Sequence, residues 1–279
     1  MGKIILEILN DKEQVKFGKN DYEEVRKPMR AEGNDRAYLA TQDLIFEEGD
    51  RIRIQVASPN THLVVKLDET LDSSLIFLKE TTWDYLITMT DNAQEARPDN
   101  RFSGKRHYLS VRVATPMEIN SYRNLALNPH DQKNFSGAFP HAYANVETRN
   151  DATFFACNAI DGIFAHHSHG SYPYQSWGIN QQKDAALSID FGRIVELDRV
   201  GFTLRADFPH DNYWESVTLH FSDGTSEIFH TIKSDLPQYF DFSKRQVDGV
   251  VFSELKQSTD SSPFPALTEI ELFGQSVSE

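Results

Sequence analysis

Residues Ala186–Thr225 read ALSIDFGRIVELDRVGFTLRADFPHDNYWESVTLHFSDGT, and this segment contains the clearest folding signal in the chain. Apolar and polar residues alternate in it three times, at Leu187–Phe191, Val200–Leu204 and Val217–Phe221. A period of two places successive side chains on opposite faces, which indicates β-strands with one buried face. The segment therefore predicts a β-sheet packed on a core.

The second and third of these strands are joined by an unusual connection, Arg205–Trp214, with the sequence RADFPHDNYW. It combines charged groups, an imidazole and aromatic rings around a proline. A loop that only connects two strands is usually shorter and richer in Gly, Asn and Ser. Since binding residues often lie on loops held by a rigid scaffold, we expect this loop to be functional.

Short alternating strands also occur over the rest of the chain, for example at Arg51–Val56, where Ile52 and Ile54 alternate with arginines. A polar junction near residue 120 separates two such regions. Many short strands without a helical period indicate antiparallel β architecture. The sequence therefore predicts an all-β protein with two domains, a small antiparallel β-sandwich over residues 1–120 and a larger β-sandwich over residues 121–279.

Composition excludes several classes of partner. The formal net charge is −14 and the isoelectric point is about 5.1. Such an acidic surface repels phosphate backbones and anionic lipids, so we expect no nucleic-acid or membrane partner. The single cysteine, Cys157, excludes an internal disulfide. No signal peptide or membrane-spanning segment is recognisable, which predicts a cytoplasmic protein.

A set of short motifs in the second region occurs in a recognisable order. They are NLALN at Asn124–Asn128, AIDG at Ala159–Gly162, Trp177, LSIDFG at Leu187–Gly192 and ALTEIELFG at Ala266–Gly274. With these motifs, about residues 124–275 resemble the discoidin, or coagulation factor 5/8 type C, family. The resemblance implies a galactose-binding-like jelly roll that serves as a non-catalytic carbohydrate-binding module, with its ligand on loops at one end of the sandwich.

Sugar recognition needs a flat aromatic face that stacks on the ring and polar side chains that pair with hydroxyls. Two aromatic loops of the second domain, Gly170–Trp177 and Arg205–Trp214, offer both, and we expect them to bind a neutral sugar. The predicted ligand-binding residues are Arg205, Asp207, His210, Trp214, Trp177, Tyr174 and His169. Phe202 and Leu204 are expected to face inward, which would point Arg205 outward. In the alternative interpretation, Arg205 pairs with Asp207 and the two tryptophans fill the core.

Two metal hypotheses arise from the second domain. The resemblance implies a structural calcium ion below the Asp-Gly loop, with Asp161 and Glu269 as side-chain ligands. A threonine expected soon after that loop is missing, so a plain Asp-Gly turn is the alternative. His166, His167 and His169 raise the idea of zinc, but neighbouring loop histidines rarely form a tetrahedral set. A solvated polar loop, or one histidine in a sugar site, is favoured for them.

Two other classes of function are also compatible with the sequence. An intracellular protein-interaction or assembly module, with a protein partner or as a homo-oligomer, is the first alternative to carbohydrate binding. A glycoside hydrolase ranks third, with Asp207, Asp211 and Glu215 as candidate carboxylates. The chain has no GxSxG, GxxxxGK, GxGxxG or HExxH motif, so we expect no catalytic activity.

Overall fold

A computed structural model describes residues 2–22, 25–168, 170–205 and 212–277. The chain divides into two compact units. The first unit contains Met1–Thr115 and Phe135–Phe139, and the second contains Pro116–Asn134 and Pro140–Glu279. The short return to the first unit was not predicted from the polar junction. It arises because Ala138 and Phe139 pair as a strand with residues of the first unit.

The described residues are organised mainly as strands. The strands are β1 (Lys3–Leu9), β2 (Phe17–Gly18), β3 (Lys27–Pro28), β4 (Arg30–Asn34), β5 (Arg36–Thr41), β6 (Arg51–Val56), β7 (Thr61–Lys66), β8 (Ser74–Leu78), β9 (Thr82–Leu86), β10 (His107–Val113), β11 (Arg123–Asn124), β12 (Ala138–Phe139), β13 (His141–Ala144), β14 (Trp177–Gly178), β15 (Leu187–Arg205), β16 (Trp214–Phe221), β17 (Ser226–His230), β18 (Gln238–Gln257) and β19 (Ala266–Ser276). The helices are α1 (Asp91–Glu95), α2 (Pro116–Asn120) and three 3-10 turns at Thr148–Asn150, Ala152–Phe154 and Ala156–Ile160.

The first unit is an antiparallel β-sandwich, as predicted. One sheet has the order β4-β1-β6-β9 and the other the order β12-β8-β7-β10-β5. The structure shows the alternation on β6 directly, because Ile52, Ile54 and Val56 are buried while Arg53 and Gln55 between them are only partly buried. Trp83 is fully buried in the same core. The unit is therefore held together by the inward rows of its strands.

The second unit is the jelly-roll β-sandwich that the sequence predicted. Its strands follow the order β11-β19-β15-β18-β16-β17, with β13 beside β15 and β14 beside β19. All three predicted alternations supply the core: the side chains of Leu187, Ile189 and Phe191, and the inward residues of the next two strands, are almost fully buried. The all-β fold class is therefore confirmed.

The two longest strands of the second unit are β15, with 19 residues, and β18, with 20 residues. The pairing partner of β15 changes along its length. Leu187–Asp190 pairs with β13, whereas the part of β15 from Val195 onward pairs with β19. The register shifts between Asp190 and Val195, where Gly192 has a φ of +68°. Such a left-handed residue lets the strand turn, and glycine adopts it at little cost. Among the described helices, none combines the length and the apolar character needed to cross a bilayer.

Candidate functional site

A cleft of about 240 Å³ opens in the second unit where β15 ends and β19 begins. Its walls come from the 3-10 turns, from β14 and the residues after it, and from the segment leading into β19. The lining residues are Thr148, Arg149, Phe154, Gly178, Ile179, Asn180, Gln181, Arg205, Phe264, Pro265 and Ala266. Aromatic rings, amides and two guanidinium groups therefore meet in one concave site.

Arg205 lines this cleft from a buried position. Its residue exposure is 4 %, its Nη1 lies 3.5 Å from the Ser176 Oγ, and its guanidinium carbon lies 5.9 Å from the Phe154 ring centroid. The expectation of an outward, exposed Arg205 is therefore wrong. The register shifts between Thr203 and Leu204, and the last residues of β15 are covered on both faces. Strict alternation does not continue through such a bulge.

The aromatic walls differ in their exposure. Phe154 is buried, with the guanidinium groups of Arg149 and Arg205 at 5.6 and 5.9 Å from its ring centroid. Phe264 is 40 % exposed. Arg149 is also accessible, since 69 % of its side chain is exposed. The cleft thus presents an open aromatic ring beside cationic hydrogen-bond donors, and guanidinium groups also stack favourably on rings.

The backbone of the cleft is tightly fitted. A Cβ atom on Gly178 would lie 2.8 Å from the Thr148 Oγ1 and 2.9 Å from Phe154, so only glycine fits there. The Thr148 Oγ1 accepts a hydrogen bond from the Asn180 backbone N at 3.0 Å. Asn180 and Gln181 both have positive φ values, +48° and +58°. Left-handed non-glycine residues persist only where surrounding contacts hold them.

Trp177 and Trp214 are core residues, which corrects their prediction as ligand-stacking side chains. Their exposures are 0 % and 1 %. Both rings pack on Phe252, with centroid separations of 6.2 and 5.7 Å. The Trp177 Nε1 donates a hydrogen bond to the Val146 carbonyl at 2.9 Å. Their large apolar rings are thus enclosed between the two layers and present no face to a ligand.

The other predicted ligand residues have a different outcome. Tyr174 is half-buried, and its backbone N donates to the Ser171 carbonyl in a turn; it is not among the described residues that line the cleft. Asp207, His210 and His169 lie outside the described residues. Their predicted roles stay predictions.

Asp161 and Glu269 meet beneath the Asp-Gly turn. The Asp161 Oδ1 accepts from the Ile163 backbone N at 2.8 Å, and its Oδ2 accepts from the Gln175 Nε2 at 2.8 Å. The Glu269 Oε2 accepts from the Gly162 backbone N at 3.2 Å. Gly162 has a φ of +83°, which suits a glycine turn. The turn brings two acidic side chains and an amide together.

The Glu269 side chain is fully buried, and its Oε1 has no hydrogen-bond partner among the described residues. Burial raises the pKa of Glu269 well above its ordinary value, and repulsion from Asp161 raises it further. Burying an ionised carboxylate of this kind lowers the stability of the folded chain unless a nearby positive charge compensates it. The Gln175 Oε1 is also buried without a hydrogen-bond partner among the described residues. The two carboxylates and this amide oxygen supply hard oxygen donors, which suit a calcium ion.

The sequence interpretation missed Arg149, Phe154 and Phe264 as residues of the cleft. One signal was available: Phe264-Pro265 directly precedes the ALTEIELFG motif, and an aromatic residue next to a strand end is a natural loop candidate. For Arg149 and Phe154 the sequence offers no comparable signal, because they lie in short 3-10 turns that are distant along the chain from β14, the end of β15 and the start of β19.

Comparisons with solved structures match about half of the chain. Chitosan-binding module 1 of a chitosanase/glucanase from Paenibacillus sp. IK-5 is 21 % identical with a TM-score of 0.38, covering 54 % of this chain and 98 % of the module. The family 32 carbohydrate-binding module of C. perfringens NanJ, in complex with galactose, is 16 % identical with a TM-score of 0.37, covering 47 % and 91 %. The lectin domain of lectinolysin, complexed with Lewis B antigen, is 16 % identical with a TM-score of 0.40, covering 55 % and 97 %.

These matched structures are carbohydrate-binding modules and a lectin domain. At these identities and TM-scores they assign no ligand to this chain. No family model matches the sequence, and no curated protein matches it.

Proposed function

We propose that the chain is a non-catalytic carbohydrate-binding protein and that a neutral sugar binds in the cleft of the second unit. One observation carries this proposal: an exposed aromatic ring, Phe264, and a buried guanidinium group, Arg205, line the same small cleft. A pyranose has an apolar face of C–H groups and a rim of hydroxyls. The cleft offers a partner to each.

The roles of the side chains follow from their chemistry. Phe264 stacks on the apolar face of the sugar, while Arg205 and Arg149 donate hydrogen bonds to hydroxyl oxygens. The Asn180 amide, at the rim, supplies both a donor and an acceptor. The volume of about 240 Å³ is smaller than the roughly 300–1,000 Å³ of sites for drug-sized ligands, so the ligand is a single sugar unit or the end of a chain.

A glycan array followed by calorimetric titration of the best ligand tests the proposal. Phe264→Ala and Arg149→Ala are expected to weaken binding, each by at least about tenfold, the equivalent of one good stacking or charge-assisted contact. The matched controls are Tyr143→Ala and Arg199→Ala, because these exposed side chains lie in the second unit but do not line the cleft. Absence of sugar binding at millimolar concentration, or equal losses in variants and controls, contradicts the proposal.

We also propose that a structural calcium ion is held by Asp161 and Glu269, with the Gln175 amide oxygen nearby. The support is the unpartnered Glu269 Oε1 in a fully buried position beside a second carboxylate. Calcium supplies charge compensation there and completes its shell with further oxygens. Isothermal titration with calcium after chelator treatment is expected to give one site, and its loss in Asp161→Asn is the check.

A protein-interaction function is the second candidate, and one observation favours it. Ile228, Ile232 and Leu236 are 62 %, 68 % and 66 % exposed, on and just after the terminal strand β17. The three residues lie close together in the sequence, and we propose that they form one exposed apolar patch, which is typical of an interaction surface. Light scattering that gives a dimer in the wild type and a monomer in Ile228→Lys supports this function, and monomeric wild type argues against a homo-oligomer.

A further inference from the structure

Two histidines and an aspartate from distant parts of the second unit converge on one point. His166 and His167 lie in the loop between the 3-10 turn Ala156–Ile160 and β14, and Asp235 lies in the connection between β17 and β18. One ligand atom from each side chain lies within 4.8 Å of the other two. Neighbouring loop histidines alone rarely build a metal site, but a carboxylate from a second loop supplies the third protein ligand that a zinc ion needs.

The spacing suits a transition-metal ion. The His166 Nε2 lies 3.8 Å from the Asp235 Oδ2. Two ligands of a tetrahedral zinc ion, with bonds of about 2.0–2.2 Å, are roughly 3.3 Å apart. The His166 and His167 rings are 4.3 Å apart at an interplanar angle of 78°. Small side-chain rotations therefore bring all three ligand atoms to bonding distance around one ion.

The chemistry of the donors selects the ion. Two imidazole nitrogens and one carboxylate oxygen are typical zinc ligands, whereas calcium takes oxygen ligands. His167 is exposed and 47 % of the Asp235 side chain is exposed, so an ion can enter from solvent. The net charge of −14 favours the approach of a cation.

We infer that His166, His167 and Asp235 form a zinc-binding site, with solvent as the fourth ligand. None of the three residues lines the sugar cleft, so the inference is independent of the proposed function. The bound ion joins the loop after the Asp-Gly turn to the connection between β17 and β18. Because the ion binds the folded chain, it stabilises the second unit by mass action.

The test is a zinc titration of the full chain in competition with a chromogenic chelator, with calcium present in excess so that oxygen sites are filled. One zinc ion per chain is expected. Replacement of zinc by cobalt(II) is expected to give the visible absorption bands of tetrahedral coordination. These bands report the coordination geometry, which is diagnostic of the kind of metal site. Absence of stoichiometric zinc binding by the wild type overturns the inference.

Variants identify the ligands. His166→Ala and Asp235→Asn are each expected to lower zinc affinity at least about tenfold. Loss of a residue that only hydrogen-bonds to a metal ligand already lowers affinity by about that factor, and these residues are the ligands themselves. The matched control is His220→Ala, because the His220 Nε2 also lies 3.8 Å from a carboxylate, that of Glu254, but belongs to no three-ligand cluster among the described residues. Asp235→Asn preserves shape and guards against misfolding. Unchanged zinc affinity in both site variants, or an equal loss in the control, refutes the site.

Discussion

Replacement of Glu269 by glutamine distinguishes a calcium site from a plain turn. Burial and the nearby Asp161 raise the pKa of Glu269 above its ordinary value of 4.5. The folded chain therefore holds this proton more tightly than the unfolded chain, and metal-free stability falls as pH rises above that ordinary value. At pH 7 the metal-free folded chain is destabilised by at most the free energy of protonating Glu269. From an ordinary pKa of 4.5 this free energy is about 3 kcal/mol, at ~1.4 kcal/mol per pH unit. Glu269→Gln removes this cost, and the variant is expected to be about 1–3 kcal/mol more stable than wild type in chelator.

Calcium is expected to offset the stability advantage that Glu269→Gln has over the wild type in chelator. An ion at 100 times its Kd stabilises the wild type by about 2.7 kcal/mol. The neutral amide of the variant replaces a charged ligand, so its gain from calcium is expected to be small. The wild type thus responds to calcium and the variant does not.

Urea unfolding with and without calcium measures both effects. The Trp83→Phe background is used, because the two remaining tryptophans, Trp177 and Trp214, lie in the core of the second unit and report its unfolding. Glu271→Gln is the matched control. That carboxylate is nearly as buried, but its Oε2 accepts from the Tyr239 hydroxyl at 2.8 Å and is not a proposed ligand. A variant that is less stable than wild type in chelator, or equal calcium responses of wild type and Glu269→Gln, refutes the reasoning.

Other substitutions test the cleft and the core. Gly178→Ala places a Cβ within 2.8–2.9 Å of its neighbours, and we expect it to cost about 1–3 kcal/mol and to abolish sugar binding; unchanged sugar affinity in calorimetry contradicts the assigned cleft. Trp177→Ala removes a fully buried ring, and we expect it to cost about 3–5 kcal/mol in urea unfolding. The exposed Tyr143→Ala is its control, at no more than about 0.5 kcal/mol, and similar losses in both would show that the tryptophan is not core. Arg205→Ala is expected to lose sugar binding and stability together, because the side chain is buried; full stability in urea would contradict its buried position.

Sequence patterns predicted the strands well because alternation is a local property. The alternation of Leu187, Ile189 and Phe191 with polar neighbours predicts that these side chains face inward, and all three are buried. The motif order indicated the jelly roll for the same reason, since each motif is contiguous. The patterns failed at Arg205, where a register shift between Thr203 and Leu204 interrupts the alternation.

The sequence by itself determined the all-β class, the sandwich of the first unit, the jelly roll of the second and the inward rows that form their cores. Only the tertiary structure decided which loops meet. Phe154, Arg205 and Phe264 are far apart along the chain but line one cleft. Arg205 and Phe264 meet there because the last residue of β15 pairs with the first residue of β19. His167 and Asp235 converge in the same way. Local periodicity sets the face on which a side chain lies, whereas strand pairing and the path of the connections set its neighbours.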